Sequence, residues 1–277
     1  VGVHDDALLA GVLAQASPDA LVLYWDVDAA ATLETLRDAG DAHPLRRALP
    51  RLDAVMTYGG GPPVVAAYAA LGARAVHPVY NAVDPATHHP VPAEPRFAAA
   101  LSLLANRLPD REARIDEFFV RAATLRPHDA FLLGGNGWHD RALPPNVRAI
   151  GHVGTADHNA FNAGARAVLN VARDSMAAMG WSPATRVFEA AGAGACLISD
   201  AWEGLDDFLA PGTEVLVARD GRDVAEHLAT LDAARARAIG AAAMARVLRE
   251  HTYAQRARLV DATLRAMHAA RATGVAA

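Results

Sequence analysis

Lysine is absent from this chain, and all 26 of its strongly basic side chains belong to arginine. The absence excludes a pyridoxal phosphate cofactor bound as a lysine Schiff base. It also excludes a Walker-type phosphate loop, because that motif needs a lysine to reach the phosphates. Any phosphate that this protein binds must therefore meet arginine side chains, backbone amides or helix ends.

Cysteine and metal-binding patterns are also scarce. Cys196 is the only cysteine, which excludes an internal disulfide and a cysteine-cluster zinc site. Its apolar neighbours Leu197 and Ile198 indicate a buried structural thiol. The 12 histidines are scattered without metal-ligand spacing, so we assign no metal ligand. His152 and His158 are candidates for lining a base or sugar pocket.

The chain has neither an excess of positive charge nor a long apolar run. Against 31 acidic residues, the 26 arginines leave a formal charge of −5. This balance gives no electrostatic footprint for nucleic acid, and we expect no such partner. No run approaches the roughly 18 apolar residues of a membrane span, and no basic leader precedes an apolar core. We therefore expect no integral membrane segment and a cytoplasmic location.

Short apolar runs alternate with longer helical patterns, which is typical of an α/β fold with parallel sheets. The predicted strands cover residues 20–24, 54–58, 74–79, 101–105, 130–133, 147–150, 167–171, 196–199 and 214–217. The predicted helices cover residues 32–39, 62–71, 111–125, 223–231, 233–249 and 253–270.

A proline-rich segment at residues 84–95 interrupts this alternation, because it can continue neither a helix nor a central strand. A length of 277 residues fits two domains. We predict a partial N-terminal Rossmann-like domain with its linker at 1–94, and a C-terminal Rossmann-like domain at 95–277. Only three clear strands and a fourth element around 1–14 precede the linker, so the first domain is expected to be incomplete. The first residue is Val1, which is expected of a fragment or a processed chain.

The most informative stretch is residues 182–195, Ser-Pro-Ala-Thr-Arg-Val-Phe-Glu-Ala-Ala-Gly-Ala-Gly-Ala. It predicts a helix with Ser182 as its cap, Pro183 at its first position and a glycine-permitted end at 192–194. A helix start of this kind can bind phosphate. Arg186 and Glu189 are three residues apart and share a helical face, so together they can bind two parts of a nucleotide-diphosphate sugar. The alternative is an ordinary surface ion pair.

This stretch resembles the donor helix of GT-B glycosyltransferases, and its sequence is most similar to that of the CgeB-like group. Further stretches agree in order: residues 24–28 with 32–33, 81–84 with Pro90, 106–112, 134–138 and 158–162. The segment from 81 to 90 resembles the Asn-Gly-Val-Asp linker signature of such enzymes, with Ala82 where glycine is usual. The resemblance implies a GT-B fold of two Rossmann-like domains, with a last helix returning to the first.

The same resemblance implies roles for residues of the second domain. Glu189 matches the carboxylate that holds the donor ribose, whereas Trp181 stands where many relatives carry a second glutamate. Arg107 matches the basic residue that stabilises the leaving diphosphate, and Arg111 is a weaker candidate for the same task. Arg186 could share it.

Ser182, Thr185 and Gly135 complete the predicted donor-binding residues. Gly135 belongs to a glycine-rich turn at 134–137, and a similar turn lies at 59–61. Glycine permits a ligand to approach the backbone closely, but plain turns explain both stretches equally well.

Asp26 and Asp28 directly follow a predicted strand, which places them at the ligand-facing edge of an open parallel sheet. We interpret one of them as a general base or as a ligand of the acceptor hydroxyl, and we list both with Arg107 as catalytic candidates. The alternative is that they are strand-end and helix-capping carboxylates.

The predicted function is transfer of a sugar, without a bound metal, from a nucleotide-diphosphate sugar to an unknown glycan, protein or small-molecule acceptor. The nucleotide sugar is a co-substrate, and no cofactor is expected. Two alternatives stay open, namely a nucleotide-sugar epimerase of the same architecture and a non-catalytic module that binds a nucleotide sugar or a glycan.

Overall fold

The structure is a computed structural model that describes residues 6–273. The chain divides into two compact units. The first comprises Val1–Asn81, Ala178–Ser182 and Ala254–Ala277, and the second comprises Ala82–Ala177 and Pro183–Tyr253. The domain boundary after residue 94 stays a prediction of the sequence.

The first unit contains a parallel sheet with the strand order β1-β2-β3. Its strands are β1 (Leu23–Asp26), β2 (Ala54–Thr57) and β3 (Val76–Pro78). All residues of β2 are buried, as its central position requires, and Leu36, Leu49, Val55, Val64 and Tyr68 form the core around it. These strands confirm the three predicted before the linker, with ends shifted by up to three residues.

Helices surround this sheet. They are α1 (Asp6–Gln15), α2 (Ala29–Ala39), α3 (Pro44–Ala48) and α4 (Gly61–Ala70), together with the last helix of the chain, α12 (Tyr253–Ala272). From Ala254 onwards α12 belongs to the first unit, where Arg271 donates to the Ala20 carbonyl at 2.8 Å. The fourth element that the sequence predicts around 1–14 is α1, apart from residues 1–5, which lie outside the described residues.

The second unit contains a six-stranded parallel sheet with the order β6-β5-β4-β7-β8-β9. Its strands are β4 (Ala99–Leu104), β5 (Phe131–Gly134), β6 (Val147–Gly151), β7 (Ala165–Asn170), β8 (Leu197–Asp200) and β9 (Leu216–Ala218). The order reverses between the neighbours β4 and β7. In open α/β sheets, ligands bind beyond the carboxyl ends of the strands at such a reversal.

Helices cover both faces of this sheet, as a parallel sheet requires. They are α5 (Pro109–Ile115), α6 (Arg121–Leu125), α7 (His158–Gly164), α8 (Asp174–Met179), α9 (Thr185–Gly192), α10 (Gly221–Thr230) and α11 (Ala233–Glu250). A π-helical turn, Asp116–Val120, joins α5 to α6. One face packs around Leu101, Leu103 and Phe131, and the other around Leu132 and Phe161.

The start of α9 differs from the sequence prediction. The helix begins at Thr185 rather than Pro183, and no side chain of the described residues caps it. The N-cap position is occupied by Ala184, which has no side-chain acceptor. Ser182 lies two residues before it, and its hydroxyl donates to the Gly180 carbonyl at 2.9 Å. The backbone is left-handed just before, with φ of 41° at Trp181. The predicted end is confirmed, since α9 stops at Gly192.

The membrane prediction concerns helix length and polarity. Within residues 6–273, no helix is both long enough and apolar enough to cross a membrane.

Candidate functional site

The candidate site of the second unit lies where its strand order reverses. The chain leaves β4 through residues 105–108 and enters α5, and it leaves β7 through residues 171–173 and enters α8. Both loops start at the carboxyl edge of neighbouring strands. Arg107 lies in the first loop, Arg173 ends the second, and Arg111 lies in the first turn of α5.

Arg111 carries a buried guanidinium that the protein itself satisfies only in part. Its Nη2 donates to the Asn106 carbonyl at 2.9 Å, but its Nε is buried and has no hydrogen-bond partner among the described residues. Burial lowers the pKa of Arg111; Asp110 opposes this shift, whereas the charges of Arg173 and Arg186 add to it. These guanidinium groups are therefore close enough to repel one another.

Arg186, in the first turn of α9, has the same character. Its Nε and Nη1 are buried without a hydrogen-bond partner in the described part of the chain. Nη1 lies 3.2 Å from Oε2 of Glu189, an ion pair without hydrogen-bond geometry. Burial lowers the pKa of Arg186, and Glu189 opposes this shift. Buried donors without acceptors cost about 1–3 kcal/mol each, so an anion with several oxygens would stabilise this arrangement.

Glu189 lies between Arg186 and a histidine that the sequence analysis did not single out. Its side chain is 17% exposed, and Oε1 lies 3.6 Å from Nε2 of His88. The His88 and His158 rings stack with centroids 6.3 Å apart. Burial lowers the pKa of His158, and the charge of Arg186 lowers it further. At neutral pH His158 is therefore an uncharged hydrogen-bonding group beside the carboxylate.

Arg107 is surrounded by carboxylates. Its Nη2 donates to Glu112 Oε1 at 2.8 Å and its Nη1 to Asp140 Oδ1 at 3.0 Å. Arg141 also donates to Glu112 Oε1. The bond from Arg107 lowers the pKa of Glu112. Arg107 thus reaches the loop expected from the sequence, but its donors already have acceptors, and its role toward a diphosphate stays a prediction.

The glycine turn after β5 supports the loop that carries Arg107. Gly135 has φ of 121°, and a Cβ there would lie 2.1 Å from the Ala105 carbonyl oxygen. The N–H of Arg107 donates to the Asn136 carbonyl at 2.9 Å. This close backbone packing requires glycine independently of any ligand. Donor binding by Gly135 stays a prediction.

Thr185 and Ser182 differ in how near they lie to Arg186 along the chain. Thr185 is the first residue of α9 and directly precedes Arg186. Ser182 belongs to the first unit, and its hydroxyl is engaged with Gly180. Their roles in donor binding stay predictions.

Asp26, in the first unit, is 2% exposed, and both of its carboxylate oxygens accept hydrogen bonds from residues of that unit. Oδ1 accepts from the Asp28 N–H at 3.0 Å and from the Thr32 hydroxyl at 2.9 Å. Oδ2 accepts from the Tyr68 hydroxyl. Burial raises the pKa of Tyr24 to about 12, and the charge of Asp26 adds to this shift. Asp26 therefore has the contacts of a buried strand-end carboxylate, one of the alternatives that the sequence left open, whereas no side chain of the described residues caps α2. A catalytic role for either aspartate stays a prediction.

Cys196 is buried, as its apolar neighbours predict, and burial raises the pKa of its thiol to about 11. The thiol is therefore protonated and unreactive at neutral pH. In the part of the chain that the structure describes, no group of three or more His, Cys, Asp or Glu side chains could hold a metal ion.

Solved structures similar to this chain are glycosyltransferases. Sucrose-phosphate synthase from Thermosynechococcus elongatus is 16% identical with a TM-score of 0.67, over 96% of this chain and 72% of that chain. Anabaena HepE in complex with UDP-glucose is 14% identical with a TM-score of 0.69, over 95% and 77%. α,α-Trehalose 6-phosphate synthase from Burkholderia multivorans is 13% identical with a TM-score of 0.64, over 96% and 76%. These neighbours confirm the predicted α/β GT-B fold with parallel sheets.

Sequence comparison gives the family. No curated protein sequence matches significantly. The family described as glycosyl transferase-like matches residues 111–262, a segment that includes Arg111, Arg186 and Glu189 and covers more than half of the chain. This chain therefore belongs to the glycosyl transferase-like family.

Proposed function

We propose that this protein transfers a sugar from a nucleotide-diphosphate sugar to an acceptor, and that its second unit binds the donor. Within the GT-B glycosyltransferases we assign it to the CgeB-like group, on the motifs at 81–90 and 182–195. The observation that carries the proposal is the pair formed by Arg111, at the strand-order reversal, and Arg186, whose charge acts on it. Both side chains have buried donor nitrogens without a hydrogen-bond partner among the described residues.

The diphosphate suits this pair for a physical reason. It presents several charged oxygens on two neighbouring phosphorus atoms, and arginine forks bind such oxygens with charge-assisted hydrogen bonds. The donor atoms without a hydrogen-bond partner among residues 6–273, Nε of Arg111 and Nε and Nη1 of Arg186, would find partners there. Arg173 adds positive charge beside them.

The position of Glu189 supports binding of the nucleoside part of the donor. A carboxylate on a rigid helix can accept hydrogen bonds from both ribose hydroxyls, and Glu189 is held by Arg186 on one side and His88 on the other. His158, neutral and stacked on His88, offers a flat surface and a hydrogen-bonding nitrogen to the base or the sugar.

In the proposed transfer, the bond between the anomeric carbon and the diphosphate oxygen breaks, and its electron pair stays on that oxygen. A new bond forms between the anomeric carbon and the acceptor hydroxyl oxygen, whose proton passes to a base. The leaving diphosphate gains negative charge, which fixed cations stabilise more in the transition state than in the ground state. We propose that arginine, with Arg107 joining Arg111 and Arg186, supplies this charge without a metal.

For the proton of the acceptor, Asp26 and Asp28 stay the proposed candidates. Asp26 already accepts hydrogen bonds on both oxygens. The chemical class of the acceptor is not part of this proposal.

Calorimetric titration with UDP-, GDP- and ADP-linked sugars tests the proposal. UDP-glucose is the first choice because HepE was solved with it. We expect saturable binding of at least one donor by the 277-residue chain, and weaker binding by Glu189→Gln. Asp129→Asn is the control, since Asp129 pairs with Arg126 at the amino-terminal side of β5. Absence of binding by any donor would contradict the proposal.

A non-catalytic binding module is the second candidate, and the occupied carboxylate of Asp26 favours it. Product analysis separates the candidates. A transferase releases nucleoside diphosphate when an acceptor is present, an epimerase converts the donor sugar alone, and a binding module returns the donor unchanged.

A further inference from the structure

Asp200 is a buried charge at the end of β8 that the proposed transfer does not use. Its side chain is 0% exposed. Oδ2 accepts from Arg114 Nη2 at 2.6 Å and from the Ala172 N–H at 3.0 Å, and Oδ1 accepts from the Ser199 hydroxyl at 3.3 Å. Burial raises the pKa of Asp200, and Arg114 opposes that shift.

Asp200 and its partner Arg114 together bind both backbone polar groups of Ala172. The N–H of Ala172 donates to Asp200, and its carbonyl accepts from Arg114 Nε at 3.1 Å. Ala172 lies in the loop that follows β7, at the strand-order reversal, and the next residue is Arg173. The Asp200–Arg114 pair therefore fixes the position of the backbone immediately before Arg173.

The same pair also reaches α5. Arg114 lies three residues after Arg111 and so on the same side of the helix. Arg173 donates from Nε to Asp110 on that helix. A single buried carboxylate thus joins β8, the loop after β7 and the helix that carries Arg111.

A buried ion pair is weak evidence for stability, because apolar residues of similar volume often serve as well. Its distinctive effect is to fix geometry. Here the geometry that it fixes is that of the loop after β7, which leads into Arg173, and of α5, which carries Arg111.

We propose that Asp200 is a positioning residue of the anion site, which holds the loop before Arg173 and the helix of Arg111 in the arrangement that binds a diphosphate. This inference rests on the proposed function, which it deepens by naming the residue that positions these arginines. Asp200 acts through Ala172 and Arg114 and does not touch the ligand.

The test compares Asp200→Asn with the parent chain by titration with inorganic pyrophosphate, UDP and uridine. Pyrophosphate carries the two phosphate groups without a base, so it reports on the arginines whichever base the donor has. We expect Asp200→Asn to bind pyrophosphate and UDP about tenfold more weakly, as for one lost charge-assisted contact, and uridine equally well. Asp129→Asn is the matched control and should leave all three affinities unchanged.

Two further measurements separate positioning from a loss of folding. Hydrogen exchange should become faster in the 171–174 segment of Asp200→Asn, because the Ala172 N–H loses its charged acceptor, while β4 stays protected. Arg114→Gln is the second variant and should reproduce this pattern. In the Arg173→Gln background, Asp200→Asn should weaken pyrophosphate binding much less than in the parent. The reason is that both changes act on pyrophosphate through the Arg173 guanidinium.

The outcomes are distinct. If the parent binds pyrophosphate but no nucleotide sugar, and Asp200→Asn weakens the former, the positioning role stands and the proposed function fails. If the parent binds UDP and Asp200→Asn binds pyrophosphate and UDP as tightly as the parent, the positioning role is overturned and the proposed function stands. Equal losses for uridine and UDP also overturn it, because they indicate general damage. Absence of pyrophosphate binding by the parent overturns the positioning role, and absence of binding by every UDP-, GDP- and ADP-linked sugar overturns the proposed function.

Discussion

Asp26 and Glu189 are both carboxylates of α/β units, but their surroundings differ. Asp26 is 2% exposed and accepts from Asp28, Thr32 and Tyr68 in its own unit. Glu189 is 17% exposed and has Arg186 and His88 within ion-pair distance. Arg186 retains buried donors without acceptors among residues 6–273.

The difference indicates which carboxylate serves the fold and which serves a ligand. A buried polar group that its own unit satisfies contributes to stability and has no capacity left for a ligand. A cluster with unsatisfied buried donors is destabilised until a ligand supplies acceptors. The four predictions below test this contrast, beginning with the largest expected effect.

Replacing Asp26 with alanine should mainly destabilise the protein. The change leaves the Asp28 N–H and the hydroxyls of Thr32 and Tyr68 without their acceptor, and we expect a loss of about 3–5 kcal/mol in the free energy of unfolding. Urea denaturation measures it. Asp38→Ala is the comparison and should cost much less, because the Asp38 side chain on α2 is 75% exposed. If Asp26→Ala unfolds at the parental urea concentration, Asp26 is not a structural carboxylate.

Replacing Glu189 with glutamine should mainly weaken donor binding. The neutral amide is a poorer acceptor for the ribose hydroxyls, and we expect the free energy of donor binding to fall by about 1.5–3 kcal/mol. Titration with the donor that binds the parent measures the loss, and urea denaturation should show a much smaller change than for Asp26→Ala. Unchanged donor affinity in a folded variant would contradict the assigned role.

The sequence predicts most of the fold but not this contrast, because strands and helices follow from periodic apolar residues, whereas the partners of Asp26 and Glu189 depend on tertiary structure. The runs at 54–58 and 130–133 are buried strands as expected, and the glycines at 192–194 end α9. The predicted start of α9 is wrong because the helix begins two residues later, at Thr185, with Ala184 at its N-cap position. Composition does not determine which of several neighbouring residues begins a helix.

His88 could not be predicted for a different reason. It lies in an irregular proline-rich segment, and its contact with Glu189 joins parts of the chain that are far apart in sequence. The pairing of Arg107 with Glu112 and Asp140, set against the unsatisfied Nε of Arg111, depends likewise on tertiary structure. The only sequence signal for His88 is its place within the 81–90 motif.

Among the arginines, Arg111 should matter more than Arg107. We expect Arg111→Gln to weaken nucleoside diphosphate binding by about 1.5 kcal/mol, as for one charge-assisted bond, because its buried donor has no other acceptor. Arg107→Ala should weaken it less, because Arg107 must first leave its carboxylates. Parallel titrations with the free nucleoside should show little change in either variant. Equal losses for nucleoside and diphosphate would indicate a structural role for the residue concerned.

The smallest expected effect is a pH dependence from His158. Burial lowers the pKa of His158 in the folded protein from its usual value of 6.5, so the unfolded chain binds a proton more readily there. The stability that the neutral ring contributes is therefore complete above pH 6.5 and declines as the pH falls through that value. Melting temperatures at pH 7.5 and 5.5 should differ less in His158→Gln than in the parent. Donor binding by the parent should also change over this range, because protonation adds a positive charge beside Arg186 and Glu189. An equal pH response of the melting temperature in variant and parent would assign the acid sensitivity to other groups and leave His158 without this role.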